Sequence, residues 1–329
     1  MFDIIAIIPC LNEEAYLENL VENMVANSCG LSIHIVIADG GSADKTPEIA
    51  QKLADKYDNV SYLHNPKKIQ SAAVNLVVET FGQGATYLIR IDAHAKYPDD
   101  YIQTLINEQR ETGASSVVVS MNTASDNIDK APFQKAVAAA QNSKIGNGGS
   151  PHRLDEAEGK WVDHGHHALI LIEKFREVGG YDDNFSHNED YELDYRMAKK
   201  GCKIWLTGKT SLIYYPRASA KALFKQYYNF GRGVAKMIAK HKNRPRIRQM
   251  IPAGVAPAAA LALLSPIFPI LALPINAWIL ICLIYGAVLS YKARDISIAA
   301  SGIAAMIMHM AWSIGFWKAL FDERAMLTK

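Results

Sequence analysis

The stretch Ile33-His-Ile-Val-Ile-Ala-Asp-Gly-Gly-Ser-Ala-Asp-Lys-Thr-Pro-Glu48 decides the fold of this chain. Its apolar, β-branched run ends at Ala38 and predicts a strand that is buried on both faces. After a short turn, Thr46 supplies a helix N-cap, Pro47 suits the first helical position, and Glu48 places an acid in the first turn. The order of strand, turn and capped helix predicts one unit of a parallel α/β sheet.

The same alternation recurs through the first 120 residues and again near residue 200. Short apolar runs alternate with segments that have the 3.6-residue spacing of amphipathic helices. This pattern predicts an α/β fold with a Rossmann-like, mostly parallel sheet and flanking helices, in which ligands bind beyond the carboxyl ends of the strands. The predicted strands are Ile4–Ile8, Ile33–Ala38, Val60–Leu63, Tyr87–Ile91, Val117–Ser120, Ala168–Ile172 and Lys203–Leu206, and the predicted helices are Glu13–Ala26, Pro47–Tyr57, Gln70–Phe81, Pro98–Thr112 and Asn188–Lys200.

One segment of the soluble part lacks this alternation. Residues 144–160 hold four glycines and few apolar residues. Two interpretations stay open: a surface loop, or a mobile flap over the site.

The charge of the chain is unevenly distributed. The 329 residues carry 35 Lys and Arg against 33 Asp and Glu, and ten of the basic residues lie between Arg217 and Arg248, where no acid occurs. A segregated basic stretch favours an anionic partner, which is either nucleic acid or an anionic membrane. Because residues 251–320 are almost uniformly apolar, we expect a membrane and no nucleic acid.

The carboxyl-terminal region predicts membrane attachment. A spanning helix needs roughly 20 apolar residues, and the candidates are about Ile251–Ile267, Ile270–Tyr291 and Ile296–Leu320. The first contains three prolines and is either a span or re-entrant. Lys292 and Arg294 follow the second span, which the positive-inside rule places on the same side as the basic stretch. The predicted domains are an α/β domain over 1–215, a basic amphipathic juxtamembrane segment over 216–249, and two or three transmembrane helices over 250–329.

The four cysteines are scattered without paired spacing. This argues against a disulfide framework or a zinc site and is typical of a reducing compartment.

Asp92 and His94 follow an apolar strand and lie two residues apart, so their side chains leave on the same side. A carboxylate with an imidazole suits Mn²⁺ or a similar divalent ion and leaves positions open for diphosphate oxygens. The alternative is an Asx turn beside a solvated histidine. Arg90 is expected on the opposite face of the strand or at the rim of this site, where it pairs with Asp92 or with a phosphate.

Two further acidic motifs have both a structural and a functional interpretation. Glu189 and Asp190 stand where a helix begins, and the helix N-terminus is expected to keep their pKa low. They are either plain helix-start acids or a base that remains ionised while it accepts a hydroxyl proton. Asp39 precedes two glycines and either forms an ordinary turn toward Thr46 or accepts from the imide N–H of a pyrimidine.

The remaining candidates combine aromatic, basic and imidazole side chains. Residues 226–232 suit a helix lying at the membrane surface, or else Arg232 reaches a pyrophosphate leaving group. His164 and His166 have metal-like composition but are favoured as wall or acceptor-side residues. The inference of function rests on four other segments: Asp92 with His94, Glu189 with Asp190, Pro9–Glu13, and Asp39 with the glycines after it. Together these point to transfer of a sugar from a nucleotide donor.

These segments resemble family 2 glycosyltransferases of the GT-A fold, in particular the membrane-attached glucosyltransferases of succinoglycan-type exopolysaccharide assembly. The resemblance covers about residues 3–235. It rests on the segments Ile8–Glu13, Asp39–Thr46, Asn65–Asn75, Arg90–His94 and Asn188–Leu193 and on residues 226–232.

The resemblance implies an inverting transfer of a sugar, glucose by expectation, from a UDP-sugar to a lipid-linked (polyprenyl diphosphate) saccharide in exopolysaccharide or cell-surface glycan synthesis. It implies Mn²⁺ or Mg²⁺ as cofactor and a catalytic domain on the cytoplasmic face of the inner membrane. His94 stands where the family has a second Asp, which leaves the metal preference open, and the absence of the processive Gln-x-x-Arg-Trp argues for single-sugar transfer. The implied residues are Asp190 as base with Glu189 beside it; Asp92 and His94 on the metal; Pro9, Asn12, Glu13, Asp39, Lys68, Asn75, Arg90, Asp92 and Arg232 on the donor; and His164, His166 and Gln226 on the acceptor side.

Two other functions compete with this one. In the first, polyprenyl phosphate itself is the acceptor, and the product is a phosphodiester-linked monosaccharide. In the second, the chain is a non-catalytic nucleotide-sugar-binding scaffold. The joint presence of Asp92, His94 and Asp190 disfavours the scaffold.

Overall fold

The computed structural model describes residues 2–123, 132–148, 158–242, 245 and 247–327. Contacts divide the chain into two compact units: Met1–Asn122 with Leu154–Tyr214, and Thr123–Arg153 with Tyr215–Lys329. Most of the segment predicted as a loop or flap lies outside the described residues. The described helices are α1 (Leu17–Asn27), α2 (Thr46–Lys56), α3 (Gln70–Phe81), α4 (Tyr101–Thr112), α5 (Pro132–Gln141), α6 (Lys144–Asn147), α7 (Ile172–Glu177), α8 (Glu189–Lys199), α9 (Ala220–His241), α10 (Ile247–Ala253), α11 (Val255–Ala262), α12 (Leu273–Ala293) and α13 (Ser301–Leu327).

Strands among the described residues form one nine-stranded sheet. They are β1 (Ile4–Cys10), β2 (Ile33–Asp39), β3 (Val60–His64), β4 (Tyr87–Arg90), β5 (Ala95–Lys96), β6 (Ser116–Thr123), β7 (Lys160–Val162), β8 (His166–Leu171) and β9 (Ile204–Tyr214). Their order is β3-β2-β1-β4-β8-β6-β9-β5, with β7 paired to β9. The predicted α/β fold, with a mostly parallel sheet and flanking helices, is confirmed.

The parallel half of the sheet positions the site. β1 lies between β2 and β4, and β2 pairs with β3, all in parallel. The register sets Cys10 opposite Asp39 and Asp39 opposite His64, so these strands end at one edge. The loops that follow them therefore meet there, as expected for a sheet of this kind.

The other half of the sheet runs antiparallel. β8 lies between β4 and β6 and opposes both, and β9 opposes β5 and β7. The strand predicted over Val117–Ser120 is therefore present as β6, but it has no parallel neighbour among these pairs. The strand predicted over Lys203–Leu206 is longer than expected, because β9 continues to Tyr214, where it pairs with Ala95.

The core of the first unit has a layer on each face of the sheet. Along β1, Ile4 and Ile8 point into one apolar cluster, while Ile5 and Ile7 point into the other. All four are buried, which explains why the run is continuously apolar rather than alternating. Burying each such side chain contributes roughly 1.5–3 kcal/mol.

Two predicted helix starts differ from the structure, by four residues for α1 (17 − 13) and by one for α2 (47 − 46), and both differences involve Thr46. The helix expected from Glu13 begins at Leu17, because the Glu13 backbone N–H donates to Thr46 Oγ1 (2.8 Å). Thr46 is thus occupied by this contact and does not cap α2, which begins at Thr46 itself. Asp44 Oδ1 instead accepts from the Thr46 N–H (3.0 Å).

The second unit is helical in its described residues and contains two candidate membrane spans, Pro269–Ala293 and Ile296–Asp322. Both agree with predicted spans. The first expected segment, Ile251–Ile267, contains the short helices α10 and α11, which meet at Gly254, so its assignment as a span or as re-entrant stays a prediction. Within the same unit, α5 and α6 pack beside α13, and Lys135 of α5 forms an ion pair with Asp295.

Candidate active site

The loops that follow β1 and β2 are joined by hydrogen bonds at the carboxyl edge of the sheet. The Asn12 N–H donates to Ser42 Oγ (2.8 Å), and Asn12 Oδ1 accepts from the Ala43 N–H (2.8 Å). Asn12 adopts a positive φ of 58°, which an asparagine tolerates better than most residues. These contacts hold the two predicted donor-side loops together as one surface.

Asp39 ends β2 and builds the turn that follows it. Its buried carboxylate accepts from the Gly41 N–H (2.9 Å) and from the backbone and hydroxyl of Ser42. This is the turn that the sequence offered as the structural interpretation. A carboxylate has about four lone-pair sites, so acceptance from a further donor remains compatible with this geometry.

Lys68 lies against the glycines of the same turn. A Cβ added at Gly40 would come within 3.3 Å of Lys68 Cα, and one at Gly41 within 3.9 Å of Lys68 Nζ. Lys68 is exposed and has a φ of 61°. A non-glycine residue at positive φ carries strain, which often marks a functional position.

Arg90, at the end of β4, is the centre of a buried charge cluster. Its Nη1 and Nη2 atoms donate to the two carboxylate oxygens of Asp190 at 2.7 and 3.0 Å. Its Nε lies 3.8 Å from Asp92 Oδ1, and its Nη1 lies 3.8 Å from Glu189 Oε1. Burial alone would lower the pKa of Arg90, but Asp190 and the neighbouring groups raise it well above its ordinary value. Arg90 therefore pairs mainly with Asp190, whereas the sequence suggested Asp92 or a phosphate.

Asp92 lies beside this cluster, two residues before His94 in the segment that follows β4. Burial acts to raise the pKa of Asp92, yet His166, Arg90 and His94 together hold it below its ordinary value. His166 Nδ1 lies 3.0 Å from Arg90 Nη2, and because a guanidinium only donates, Nδ1 is the acceptor. The proton of a neutral His166 is thus on Nε2, 3.5 Å from Asp92 Oδ2.

His94 Nδ1 lies 3.0 Å from Glu13 Oε1. This contact joins the loop after β4 to the loop after β1. It brings three of the predicted site residues, Glu13, Asp92 and His94, to one edge of the sheet.

Glu189 and Asp190 form the first turn of α8, as the sequence predicts, and Asn188 precedes them at a φ of 60°. The expectation of a low pKa is wrong for Glu189. Burial and the charge of Asp190 raise the pKa of Glu189 to about 7, against the opposing effect of Arg90. Desolvation outweighs the field of the helix terminus here.

Tyr181 is a site residue that the sequence analysis missed. Its hydroxyl donates to Asp190 Oδ1 (2.7 Å) and accepts from Arg90 Nη1 (3.3 Å). The available signal was Gly179-Gly180 immediately before it, both at positive φ. Asn75, predicted on the donor side, holds this loop by donating to Tyr181 O (2.8 Å) and accepting from the Tyr181 N–H (2.9 Å).

The other predicted residues are distributed over both units. Pro9 lies in β1, and His164 Nδ1 is 2.7 Å from Asp194 Oδ2. Gln226 and Arg232 lie on α9, in the second unit.

A divalent ion fits this site only in part. Within the described ranges, no group of three or more His, Cys, Asp and Glu side chains is arranged to hold a metal. Asp92 and His94 offer one carboxylate and one imidazole, a donor set that suits Mn²⁺ when phosphate oxygens complete the coordination. The residues present therefore fit an ion that arrives with an anionic ligand.

The arrangement brings opposite chemical functions together. Asp92 and His94 offer a carboxylate and an imidazole on one side, and Asp190 and Glu189 offer two carboxyl groups on the other, with Arg90 and His166 between them. The carboxylates of Asp92 and Asp190, which are 98 residues apart in the chain (190 − 92), thus both lie beside Arg90 at one edge of the sheet. Such a site can bind a phosphate-bearing ligand and take a proton from a nucleophile.

Comparison with known proteins agrees with this geometry. A family model described as Glycosyl transferase family 2 matches residues 5–179. The chain is 52% identical over 318 residues to the succinoglycan biosynthesis protein ExoA of Rhizobium meliloti (strain 1021), covering 97% of this chain and 95% of that protein. It is 27% identical over 324 residues to the dolichyl N-acetyl-alpha-D-glucosaminyl phosphate 3-beta-D-2,3-diacetamido-2,3-dideoxy-beta-D-glucuronosyltransferase of Methanococcus voltae, covering 95% and 96%.

Among solved structures, the chain resembles the mannosyltransferase PcManGT from Pyrobaculum calidifontis, determined in complex with GDP-Man and Mn²⁺. The TM-score is 0.58 at 16% identity, covering 94% of this chain and 87% of that one. At this identity the similarity shows the fold alone, which is the GT-A fold.

Proposed function

Because the chain belongs to glycosyl transferase family 2 and is a glycosyltransferase, we propose that it moves one sugar, glucose, from a UDP-sugar to a lipid-linked saccharide with inversion at the anomeric carbon. The observation that carries the proposal is the Arg90-centred cluster, which brings Asp92 within reach of Asp190. The names of two relatives support a cell-surface product and a lipid-linked acceptor: one acts in succinoglycan biosynthesis, and the other on a dolichyl-linked sugar.

The donor would lie across the loops that follow β1, β2 and β4. Asp39 would accept from the uracil imide, and the cation of Lys68 would face the diphosphate, supported by its position against Gly40 and Gly41. Pro9, Asn12 and Glu13 would shape the floor of this pocket. Asp92 and His94 would hold a divalent ion, Mn²⁺ or Mg²⁺, which when bound neutralises the charge of the leaving diphosphate.

In the proposed reaction an acceptor hydroxyl oxygen attacks the anomeric carbon while the bond from that carbon to the diphosphate oxygen breaks. Asp190 takes the hydroxyl proton, and UDP leaves with the bonding electron pair. Tyr181 and Arg90 would orient the Asp190 carboxylate through their contacts at 2.7 Å. Glu189, whose pKa is raised to about 7, lies beside this base, so the protonation of either carboxyl group affects the pKa of the other.

We place the remaining predicted residues by the same reasoning. His166 and His164 would line the acceptor side of the first unit. Gln226 and Arg232 belong to a separate unit, and a role for them at the acceptor or the diphosphate remains a proposal. The basic residues 217–248 and the apolar helices α12 and α13 support attachment to the inner membrane, and we place the catalytic unit on the cytoplasmic face.

The full chain in detergent, incubated with UDP-[¹⁴C]glucose and native lipid extract, tests this function. We expect a labelled, lipid-soluble saccharide one residue longer than its acceptor, formed with Mn²⁺ or Mg²⁺ and lost with EDTA. Asp190→Asn should lower the rate by roughly 10²–10⁴-fold and leave UDP binding intact. Asp55→Asn, on the exposed surface of α2, is the matched control and should transfer normally.

Each result has a defined meaning. Undiminished turnover in Asp190→Asn would show that another group is the base. A labelled phosphodiester monosaccharide would favour polyprenyl phosphate as the acceptor. Binding of UDP-glucose without transfer to any lipid fraction would favour the scaffold.

A further inference from the structure

Helix α9 carries its charges on one side. Lys221, Lys225, Arg232, Lys236 and Lys240 fall within about 100° of arc when successive residues are placed roughly 100° apart. We call these five residues the basic stripe. Four of them are exposed, and Lys236 is half-buried.

Helix α9 runs parallel to α13 over most of its length. Near the start of α9, Leu223 packs in a cluster with Met308, and near its end Ala235 packs with Ala319. Contacts therefore progress in the same direction along both helices. The two helices therefore run side by side, and both lie in the same solvent or lipid environment.

The two helices meet without intervening side chains at their crossing. A Cβ added at Gly231 would stand 2.0 Å from the Trp312 carbonyl oxygen, and one at Gly315 would stand 2.0 Å from that of Tyr228. Backbone touches backbone at both points. Because of this, α13 cannot take a depth in a membrane that α9 does not also take.

A membrane-crossing α13 would carry the basic stripe through the hydrocarbon. Helix α9 has 22 residues and is about 33 Å long, which matches the roughly 30 Å thickness of the hydrocarbon core. Arg232 follows the Gly231 crossing and would lie near mid-depth. Each exposed charge at that depth disfavours the arrangement by about 100-fold or more.

A second contact leads to the same conclusion. His309 of α13, at the centre of the candidate span Ile296–Asp322, has its Nε2 atom 2.8 Å from the Ile145 carbonyl oxygen of α6. Lys144, which precedes Ile145, and Asn142 are exposed. A crossing orientation would therefore also place these polar side chains within the bilayer.

The uncovered side of α13 is mostly apolar, and the exposed charged residues Lys318 and Asp322 lie in the second half of the helix. Ile303, Ile314 and Phe321 are 48%, 39% and 61% exposed. The pair thus has a basic side and an apolar side, which is the pattern of helices that lie in the membrane interface. Near an anionic leaflet each basic residue favours binding by about 5-fold.

We infer that α9 and α13 lie together along the surface of an anionic phospholipid leaflet. The basic stripe faces the lipid phosphates, and the uncovered face of α13 enters the boundary between headgroups and acyl chains. Although α13 is long and apolar enough to span, it does not cross. Both of its ends therefore lie on the same side of the membrane.

Cysteine labelling in membrane vesicles tests this inference on the full chain. In a background where Cys29 and Cys202 are serine, single variants Lys221→Cys and Lys240→Cys report the two ends of α9. Lys292→Cys and Asp322→Cys report positions flanking α13; all four sites are exposed. We expect a membrane-impermeant maleimide to label all four variants in inverted vesicles and none in right-side-out vesicles. Labelling of either pair from opposite sides would overturn the inference.

A second measurement needs no substitution. In wild-type inverted vesicles, native Cys29 is exposed and marks the side of the first unit. Trypsin added from that side should cleave after Lys242, which is exposed at the end of α9. Cleavage there only from the opposite side would contradict the surface orientation, whatever the activity of the enzyme.

Discussion

The two units differ in where their charged side chains lie. The first unit buries its charges together: Arg90 is 6% exposed and forms a two-bond ion pair with Asp190, while Asp92 and Glu189 stand 3.8 Å away. The second unit places the basic residues of α9 on its surface and joins its helices through glycine at Gly231 and Gly315.

This difference separates two sources of stability. In the first unit a charged group is tolerated inside because its partners neutralise it, and the same group is then available for chemistry. In the second unit the backbone approach excludes side chains, so shape rather than charge determines which helices pair. The units should therefore respond to different substitutions.

The largest expected effect is on the buried charges. Arg90→Met should lower the free energy of unfolding by about 3–5 kcal/mol, because Asp190 and its neighbours are left buried without a cation. Denaturant titration of the full chain in detergent, followed by tryptophan fluorescence, measures this change. Arg110→Met, at an exposed position of α4, is the matched control and should leave the midpoint unchanged. Equal midpoints for both variants would show that the cluster does not stabilise the unit.

The next effect concerns the glycine contacts of the second unit. Gly231→Ala forces a Cβ against the Trp312 carbonyl and should destabilise the chain by roughly 1–3 kcal/mol. Gly254→Ala is the control, because its Cβ would meet only ordinary contacts at 3.5 Å or more and its φ of −74° suits alanine. That variant should gain roughly 0.4–1 kcal/mol.

Thermal unfolding in detergent distinguishes these two variants, and UDP binding should be unchanged in both. A Gly231→Ala chain as stable as Gly254→Ala would show that α9 and α13 separate easily. Because Gly315 contacts α9 at the same crossing, the double variant Gly231→Ala, Gly315→Ala should cost less than the sum of the single variants.

The sequence could predict the first unit well because its signals are local. The apolar run of β1, the repeat in α3 and the acids that begin α8 each determine a structure within a few residues. The motifs at the carboxyl ends of β2 and β4 then follow from the parallel order, since such ends share an edge.

What the sequence could not predict is pairing over long distances. Arg90 and Asp190 are 100 residues apart, and no local pattern distinguishes Asp190 from Asp92 as the main partner of Arg90. Tyr181 reaches the same carboxylate from a loop whose position depends on Asn75. The raised pKa of Glu189 depends on burial, which only the assembled sheet provides.

The smallest effect compares the same backbone strain in the two units. Lys68 and Lys242 both adopt a positive φ, 61° and 52°, where glycine is favoured. Replacing either by glycine should remove strain and change stability by about 1 kcal/mol or less. Lys242 ends α9, so Lys242→Gly should have no effect on donor binding.

Lys68→Gly should instead weaken UDP-sugar binding, because it removes the amino group that lies against Gly41 in the proposed diphosphate pocket. A charge-assisted contact to phosphate contributes roughly 1.5–3 kcal/mol, which corresponds to an increase in Kd of about 10–150-fold. Calorimetric titration with UDP-glucose, paired with thermal unfolding, separates the two quantities. Equal affinities in the two variants would show that the Lys68 amino group does not contact the donor. The positive φ of Lys68 would then have only a structural role in its loop, like the positive φ of Lys242 at the end of α9.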